Sequence, residues 1–299
     1  VPVDHAGYFD HVPHGNRHDF RRAGHHHAGG MGISVEFSHH EGAPGQNEID
    51  LRYADALSTA DNIMTFRTVV KEVALEQGIF ASFMPKPFAE HPGSGMHTHL
   101  SLFEGDTNAF HEPGAPYQLS ARAGSSSPAC CVHGARDHRG HQPVGQLLQA
   151  PLGRGRGTGI PHLGPQQPLR LVRVPMYKPT RATATRVEVR SHRQCLQPLP
   201  GLRGAARRRA QGHRGGLRAA ARDRGRRVEL TDAERRAMGI AAAARQPQAA
   251  IIVMEGSELV AETLGEHVFD FFLRNKRAEW ADYRNQVSAF ELDRYLPRL

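Results

Sequence analysis

Aromatic residues are scarce in this chain. They make up 7% of its 299 residues, with a single Trp, and total apolar content is 39%. A chain of this length can bury a sizeable core, as one large domain or two ordinary ones; so small an apolar share predicts a thin one. Long hydrophobic runs are also lacking. None approaches the roughly 20 residues that a bilayer-spanning helix needs, which excludes a helical membrane protein, and the opening VPVDHAGYFD is not a signal peptide. Cysteine is nearly missing, with three in all, of which Cys130 and Cys131 are adjacent. That pattern gives neither a disulfide framework nor zinc-ligand spacing. The expected location is cytoplasmic.

Charge is present but unbalanced. Lys and Arg number 38 against 30 Asp and Glu, a net charge of +8, which raises nucleic acid as a partner. Its distribution argues otherwise, because the arginines concentrate in GLRGAARRRAQGHRGGLRAAARDRGRRV, with no lysine and no interleaved aromatic. A non-catalytic basic protein binding nucleic acid through residues 203–227 stands as the competing reading from another class, and it predicts binding that weakens steeply with salt.

The chemistry of the chain is concentrated in KPFAEHPGSGMHTHLS, residues 86–101. His97, His99 and Ser101 alternate, so in an extended strand all three side chains point to one face. Gly93 and Gly95 permit positive φ and a close approach of backbone to ligand. The combination fits a phosphate- and metal-handling loop running into a strand. Alone, it fits better a polar hairpin with solvated histidines, the commoner meaning of an isolated HxH.

The run resembles, position by position, the ATP-binding signature of glutamine synthetases: Lys-Pro-aromatic, three free residues, a small residue, Gly-Ser-Gly, then His and Ser. Upstream, VEFSHHEGAPGQNEIDLRYADALSTADNIMTFRTVVKEVALEQG is similar to the family's metal-ligand segment and the long helix after it; LSLFEGDTNAFHEPGAPYQLS continues in the same style. Farther on, LVRVPMYKPTRATATRVEVRS resembles the strand pair with a catalytic Arg and a metal-binding Glu, and VMEGSELVAETLGEHVFDFFLRNKRAEWADYRNQVSAFELDRYLPRL resembles the C-terminal helices. The wording is nearest to actinobacterial type I-like enzymes, over roughly two thirds of the chain. The resemblance implies an α+β fold, the glutamine synthetase catalytic domain with an antiparallel curved sheet and flanking helices, here incomplete.

Between these blocks the composition turns to Arg, Gly, Pro, His and Gln. Codons for GARDHRGHQPVGQLLQ, residues 134–149, can be chosen so that dropping one base yields APGITAVTNQWVNSYK, which resembles the family's substrate-binding helix. The same displacement turns SHRQCLQPLPGLRG into a stretch like PTDSACNPYLAYA, residues 224–228 into EDDVW, and GHHHAGG, residues 24–30, into DTITLEE; the other shifted frame turns residues 126–131 into IAGLL. Paired frameshifts in a G+C-rich gene, or sequence errors that mimic them, account for these stretches. Under that reading His25, His26 and His27 are not a metal site, Cys130 and Cys131 are not a reactive pair, and the Arg cluster says nothing about nucleic acid. Translating the nucleotide sequence in all three forward frames tests it.

The periodicities predict a strand end over residues 36–40, a second short strand over 48–53, and a helix from about 54. That helix carries Leu57, Ile63, Met64, Val70, Val73 and Ala74 and ends at Gly78 as a C-cap. A strand over 79–84 enters the signature loop. Thr231 and Glu234 form a capping box. One amphipathic helix spans about 257–274, with Leu259, Val260, Leu264, Val268, Phe271 and Phe272, and the next carries Trp280, Tyr283, Val287 and Phe290; these stripes are core or subunit contact. The units read as residues 1–120, the first part of the catalytic domain; 121–170, out of frame; 171–191, catalytic strands; 192–227, out of frame and basic; and 228–299, C-terminal helices. The out-of-frame segments are expected to be disordered or poorly packed.

By resemblance, Glu41 and Glu48 would hold one divalent metal, Mg²⁺ or Mn²⁺, and His97 and Glu188 a second. His99, Ser101, Arg173 and Arg186 would contact ATP, the co-substrate; Gly93 and Arg190 would contact the substrate, the latter gripping its carboxylate; Arg173 and Arg190 are the catalytic arginines. Spacing alone leaves blander meanings open: two glutamates seven apart suit any surface, and Arg186, Glu188 and Arg190 could be a surface charge ladder. Lys86 belongs to the signature in a structural role. The resemblance places two more metal ligands, on a Glu-x-Glu strand, and a small N-terminal domain ahead of Val1.

The implied activity is ATP-dependent glutamate–ammonia ligation through γ-glutamyl phosphate, with the chain inactive as written. The alternative on the same scaffold is a γ-glutamyl-polyamine ligase, in which an amine replaces ammonia. Family members assemble as double rings of identical subunits, the homo-oligomer that the resemblance implies.

Overall fold

A computed structural model describes residues 2–8, 10, 18–123, 160–165, 170–175, 182–190 and 247–298. The described residues carry three separate apolar clusters, and the candidate site residues sit on elements of the first two.

The first unit runs α1 (His18–Gly30), β1 (Val35–His40), β2 (Asn47–Leu51) and α2 (Ala56–Glu76). β1 and β2 form an antiparallel hairpin that sets His39 opposite Glu48 and His40 opposite Asn47. α2 starts where the Asp55 carboxylate accepts from the backbone N–H groups of Leu57 and Ser58, both at 3.0 Å, filling two donors that the first helical turn leaves open. It stops at Gly78, whose φ of 65° suits only glycine well. There Gly78 N–H donates to Leu75 and Ile79 N–H to Ala74, at 3.0 and 2.9 Å, the paired bonds of a Schellman end. Phe66, Val69, Val70, Val73 and Ala74 pack on Phe20, Ala28, Ile33 and Val35.

Two expectations change in this unit. Leu57 and Met64 lie outside the core, 59% and 41% exposed, because α2 is covered on one side, where α1 packs, and Ala60 and Phe66 face that side. Residues 79–84 are not a strand. They alternate in burial, with Ile79, Ala81 and Phe83 packed against the first core, but no described strand pairs with them. The Ser82 hydroxyl accepts from Met84 N–H instead, and Pro85 and Pro87 supply no N–H to a ladder.

The second unit has β3 (Thr98–Leu100), a small hairpin of β4 (Phe103–Glu104) and β5 (Thr107–Asn108), then β6 (Ile160–Pro165), β7 (Arg170–Val174) and β8 (Val187–Val189). Its four-stranded sheet has the order β3-β8-β7-β6. β8 is antiparallel to both neighbours, whereas β6 joins β7 in parallel, a departure from a purely antiparallel sheet. Among the described strands β6 is at one edge, a position at which the two prolines of IPHLGP are tolerated. Phe110, Leu119 and Ala123 pack on Val174, Val187 and Val189 beneath the sheet.

Four helices close the chain: α3 (Pro247–Glu255), α4 (Glu258–Leu264), α5 (Glu266–Arg284) and α6 (Ala289–Tyr295). Gly265, at φ 78°, breaks the single helix expected over 257–274. Trp280 and Tyr283 continue α5, and a reciprocal Ser288/Glu291 capping box begins α6. Ile251, Met254, Val260 and Leu273 form the third cluster, while Val268, Phe271, Val287 and Phe290 remain exposed. No described helix is long and apolar enough to cross a membrane. Residues 124–159 and 191–246, with the cysteines, the Thr231 capping box and the Arg cluster, lie outside the described residues.

Candidate active site

β8 builds the centre of the site by alternation. Val187 and Val189 point into the second core, so Glu188 points to the opposite face, where strand register places His99 of β3 on one side and Arg173 of β7 on the other. The Glu188 side chain is 2% exposed and gathers three cationic or ring partners: Arg190 donates at 2.6 Å, Arg173 Nε lies 2.5 Å from Oε2, and His97 Nδ1 lies 3.5 Å from Oε1. The Arg173 contact is a charge contact rather than an aligned hydrogen bond, so Oε2 has no hydrogen-bond donor. Arg186 Nε donates to His99 Nδ1 at 3.0 Å, which makes that nitrogen the lone-pair side of the ring and leaves Nε2 to carry the proton.

Burial pushes the Glu188 carboxyl up, but Arg190, with His99, Arg173 and His97, outweighs it and holds the group below its ordinary value. His97 moves down to about 4, first because it is surrounded by protein and next because Arg190 lies beside it, while Glu188 resists the shift. Its ring is thus neutral at physiological pH, with a lone pair to offer a cation, although 34% of the side chain reaches solvent. His99 is lowered by burial first and by Arg186, against Glu188.

The β1–β2 hairpin supplies a second cluster. His39 Nε2 lies 3.1 Å from Glu41 Oε1 and 4.0 Å from Glu48 Oε2, and the three donor atoms fall within 4.8 Å of one another. Glu48 is pushed up to about 8, by burial first and then by Asp50 and Glu41, with Arg190 pulling the other way. Asp50 is raised too, chiefly by burial, and its Oδ2 is buried without a hydrogen-bond partner. Carboxylates crowded together with little positive charge beside them offer a divalent cation a favourable electrostatic environment. The donor set, two or three carboxylates and an imidazole, suits Mg²⁺ or Mn²⁺ on its chemistry, so the residues fit the metal.

The hairpin and the signature loop are tied together. Gln46 Nε2 donates to Ser94 Oγ at 2.8 Å, and Arg190 reaches Glu48 electrostatically, so the two clusters belong to one site. Asp4, 6% exposed, accepts at one oxygen from Gly45 N–H and meets His40 Nε2 there, both at 2.9 Å. It thereby clamps the turn between Glu41 and Glu48. Burial raises the Asp4 carboxyl, but the hydrogen bonds from His40 and Gly45 more than reverse that.

Of the residues read from the sequence, Glu41 and Glu48 meet in the first cluster, and His97, Arg173, Glu188 and Arg190 in the second. His99 and Arg186 pair on the same face, and Ser101 lies exposed just beyond β3. Gly93 is set against protein: a Cβ there would lie 2.6 Å from the Pro85 carbonyl oxygen, which accepts from Ser94 N–H at 2.7 Å. Lys86 is buried and donates to the His91 carbonyl, a structural task. The sequence reading passed over Asp4 and His39. For His39 a signal existed, its place two residues before Glu41 in the sequence; for Asp4 none did.

Comparison with known proteins agrees with this geometry. The family described as "Glutamine synthetase, catalytic domain" matches residues 1–126 and 169–295, leaving 127–168 unmatched. Glutamine synthetase of Mycobacterium bovis is 50% identical over 309 residues, covering 99% of this chain, and that of Thermus thermophilus is 38% identical over 294. The chain spans 66% of the length of the mycobacterial relative. Among solved structures, apo GmaS without ligand matches with a TM-score of 0.81 at 26% identity, over 99% of this chain and 67% of that one. A cryo-EM structure of Plasmodium falciparum glutamine synthetase, at 16% identity and TM-score 0.86 over 98% of this chain and 64% of that one, shares the fold. With the family's description matching most of its length on either side of the unmatched stretch, this chain belongs to the glutamine synthetase catalytic-domain family.

Proposed function

We propose that the chain carries the nucleotide, metal and carboxylate sites of an ATP-dependent ligase that joins ammonia to glutamate. The observation that supports this best is the convergence of His97, Arg173 and Arg190 on the buried Glu188, beside Glu41 and Glu48. A carboxylate is a poor electrophile. Transfer of the γ-phosphoryl group of ATP to it gives γ-glutamyl phosphate, whose phosphate departs when ammonia attacks.

Divalent Mg²⁺ or Mn²⁺, when bound, would neutralise the charge of the phosphates and act as a Lewis acid. Glu41 and Glu48 would hold one ion, His97 and Glu188 the other. Arg173 and Arg186 meet phosphate oxygens, His99 and Ser101 hold the nucleotide, and Arg190 grips the substrate carboxylate through its planar fork. Gly93 keeps the loop backbone close to the substrate. Arginines already fixed by Glu188 and by the sheet need little reorganisation as charge develops, which favours phosphoryl transfer.

As written, the sequence of residues 134–149 and 192–227 lacks the NQWVNSYK-like stretch, the flap glutamate and the NPYLA-like stretch that the resemblance implies. The chain therefore binds nucleotide and metal without turnover, and the cytoplasm and a homo-oligomeric double ring are taken as those of the family. A coupled phosphate-release assay with glutamate, ammonia, ATP and Mg²⁺ tests both halves. No turnover is expected from this chain, and turnover is expected from one restored to the displaced frames and to the length of its relatives. Robust turnover by the chain as it stands refutes inactivity, and failure to bind ATP refutes the site. Substituting putrescine for ammonia in the restored chain reads the acceptor.

A further inference from the structure

We propose that Asn108 is a positioning residue for nucleotide binding: its carboxamide pins the turn over residues 182–185 and so presets the guanidinium of Arg186. The inference rests on the reading of Arg186 as a phosphate contact and adds the group that holds it ready.

The turn carries little local signal of its own. Its sequence Ala-Thr-Ala-Thr has no Gly, Pro, Asn or Asp, the residues that most often write a turn into a chain, and Ala182 and Thr183 are exposed. The fixing comes from the other side. Asn108 ends β5 at 4% exposure, and its Nδ2 group donates to three carbonyls of the turn: Ala182 at 3.3 Å, Thr183 at 3.1 Å and Thr185 at 2.8 Å. Its Oδ1 accepts from Phe110 N–H at 2.9 Å, which sets the end of the amide that faces the turn. Phe110 is fully buried with Val174, Val187 and Val189, so the anchor is tied to the core beneath the sheet. Beside it, His111 Nδ1 meets the hydroxyl of the buried Thr185 at 3.1 Å.

What this turn delivers is Arg186. Its Nη1 donates to the Ala184 carbonyl at 3.1 Å and its Nε to His99 Nδ1 at 3.0 Å, so one of the two holds on the guanidinium belongs to the turn itself. A long side chain already fixed in this way loses less freedom when phosphate arrives. Glu188, two residues on, is held separately, by strand pairing on both sides. Asn108 therefore acts on nucleotide binding and not on the metals.

The test measures ATP affinity in the presence of Mg²⁺, and bound Mn²⁺ by EPR, in the full chain. Asn108→Asp keeps the shape and the bond from Phe110 N–H but sets a carboxylate against three carbonyl oxygens. ATP affinity is expected to fall about tenfold, with the Mn²⁺ count unchanged. In an Arg186→Gln background the same substitution is expected to cost less than about twofold, because its effect passes through Arg186. Equal losses in the two backgrounds overturn the inference, as does loss of Mn²⁺ together with ATP. A further measurement needs no variant to fold. In the unaltered chain Thr185 N–H, which donates to the Ala182 carbonyl at 3.2 Å, is expected to exchange at least about tenfold more slowly than an unstructured amide before ATP is added; protection that comes only with ATP overturns the inference. Unchanged ATP affinity in Arg186→Gln refutes the phosphate reading and the inference with it, whereas weakened binding there beside unaffected binding in Asn108→Asp overturns the inference alone.

Discussion

At Glu48 burial and neighbouring carboxylates together oppose the charged form. Its folded value of about 8 lies above the ordinary 4.5, so over that interval the folded, metal-free chain holds a proton that the unfolded chain has released. Stability attributable to Glu48 is therefore unaffected below pH 4.5, falls as pH rises towards 8, and stays reduced above it. In chelator, Glu48→Gln is expected to melt above the parent chain at pH 8.5, with the difference closing by pH 4.5. A difference that grows on acidification would show that Glu48 is not the strained group. Gly93 gives a second residue-scale expectation. A methyl group 2.6 Å from the Pro85 carbonyl must displace backbone, so Gly93→Ala is expected to destabilise by about 1–3 kcal/mol in urea unfolding and to weaken ATP binding through the displaced loop.

Among the elements, α2 shows how local sequence and packing divide the work. Its ends are written in the chain, Asp55 at the start and Gly78 at the stop, and Gly78→Ala is expected to cost about 1 kcal/mol in the urea midpoint because of its φ of 65°. Gly78→Asn should cost less, since asparagine tolerates that conformation. Its buried face was only partly legible, because Leu57 and Met64 share the helical spacing of the core residues yet stay largely exposed. α1 was missed as an element altogether. Three of its four buried positions are Arg21, Gly24 and Ala28, which carry no strong hydrophobic signal, and the adjacent histidines read as composition bias. The 79–84 segment shows the opposite error: its alternation was real, but a strand also needs a partner ladder, and two-residue periodicity does not reveal one.

Over the whole molecule, Glu188 of β8 is the node at which distant parts of the chain meet, taking partners from His97 just ahead of β3, Arg173 of β7 and Arg190 just past β8. Glu188→Gln preserves shape and leaves two arginines without their buried counter-charge, one of them 14% exposed. Loss of about 3 kcal/mol is expected in denaturant unfolding of the metal-free chain. Bound Mn²⁺, counted by EPR, should also fall by one ion, an outcome that loss of stability alone would not produce. The Gln46–Ser94 bond and the Arg190–Glu48 attraction link that node to the hairpin, so two modest cores share a site that neither builds alone.

The sequence by itself determined the family, the signature loop, and every element whose start or stop is a local event: Asp55, Gly78, the short strands around the HHEGAPGQNE turn. It did so because caps, turns and alternation act within a few residues. Only the tertiary structure decided that His39 faces Glu48, that Asp4 clamps the turn from 36 residues before His40, that Gly93 is held by Pro85, and which face of α2 is inside. Those facts depend on strand register and on which neighbour covers a surface, and both are set by contacts between segments far apart in the chain.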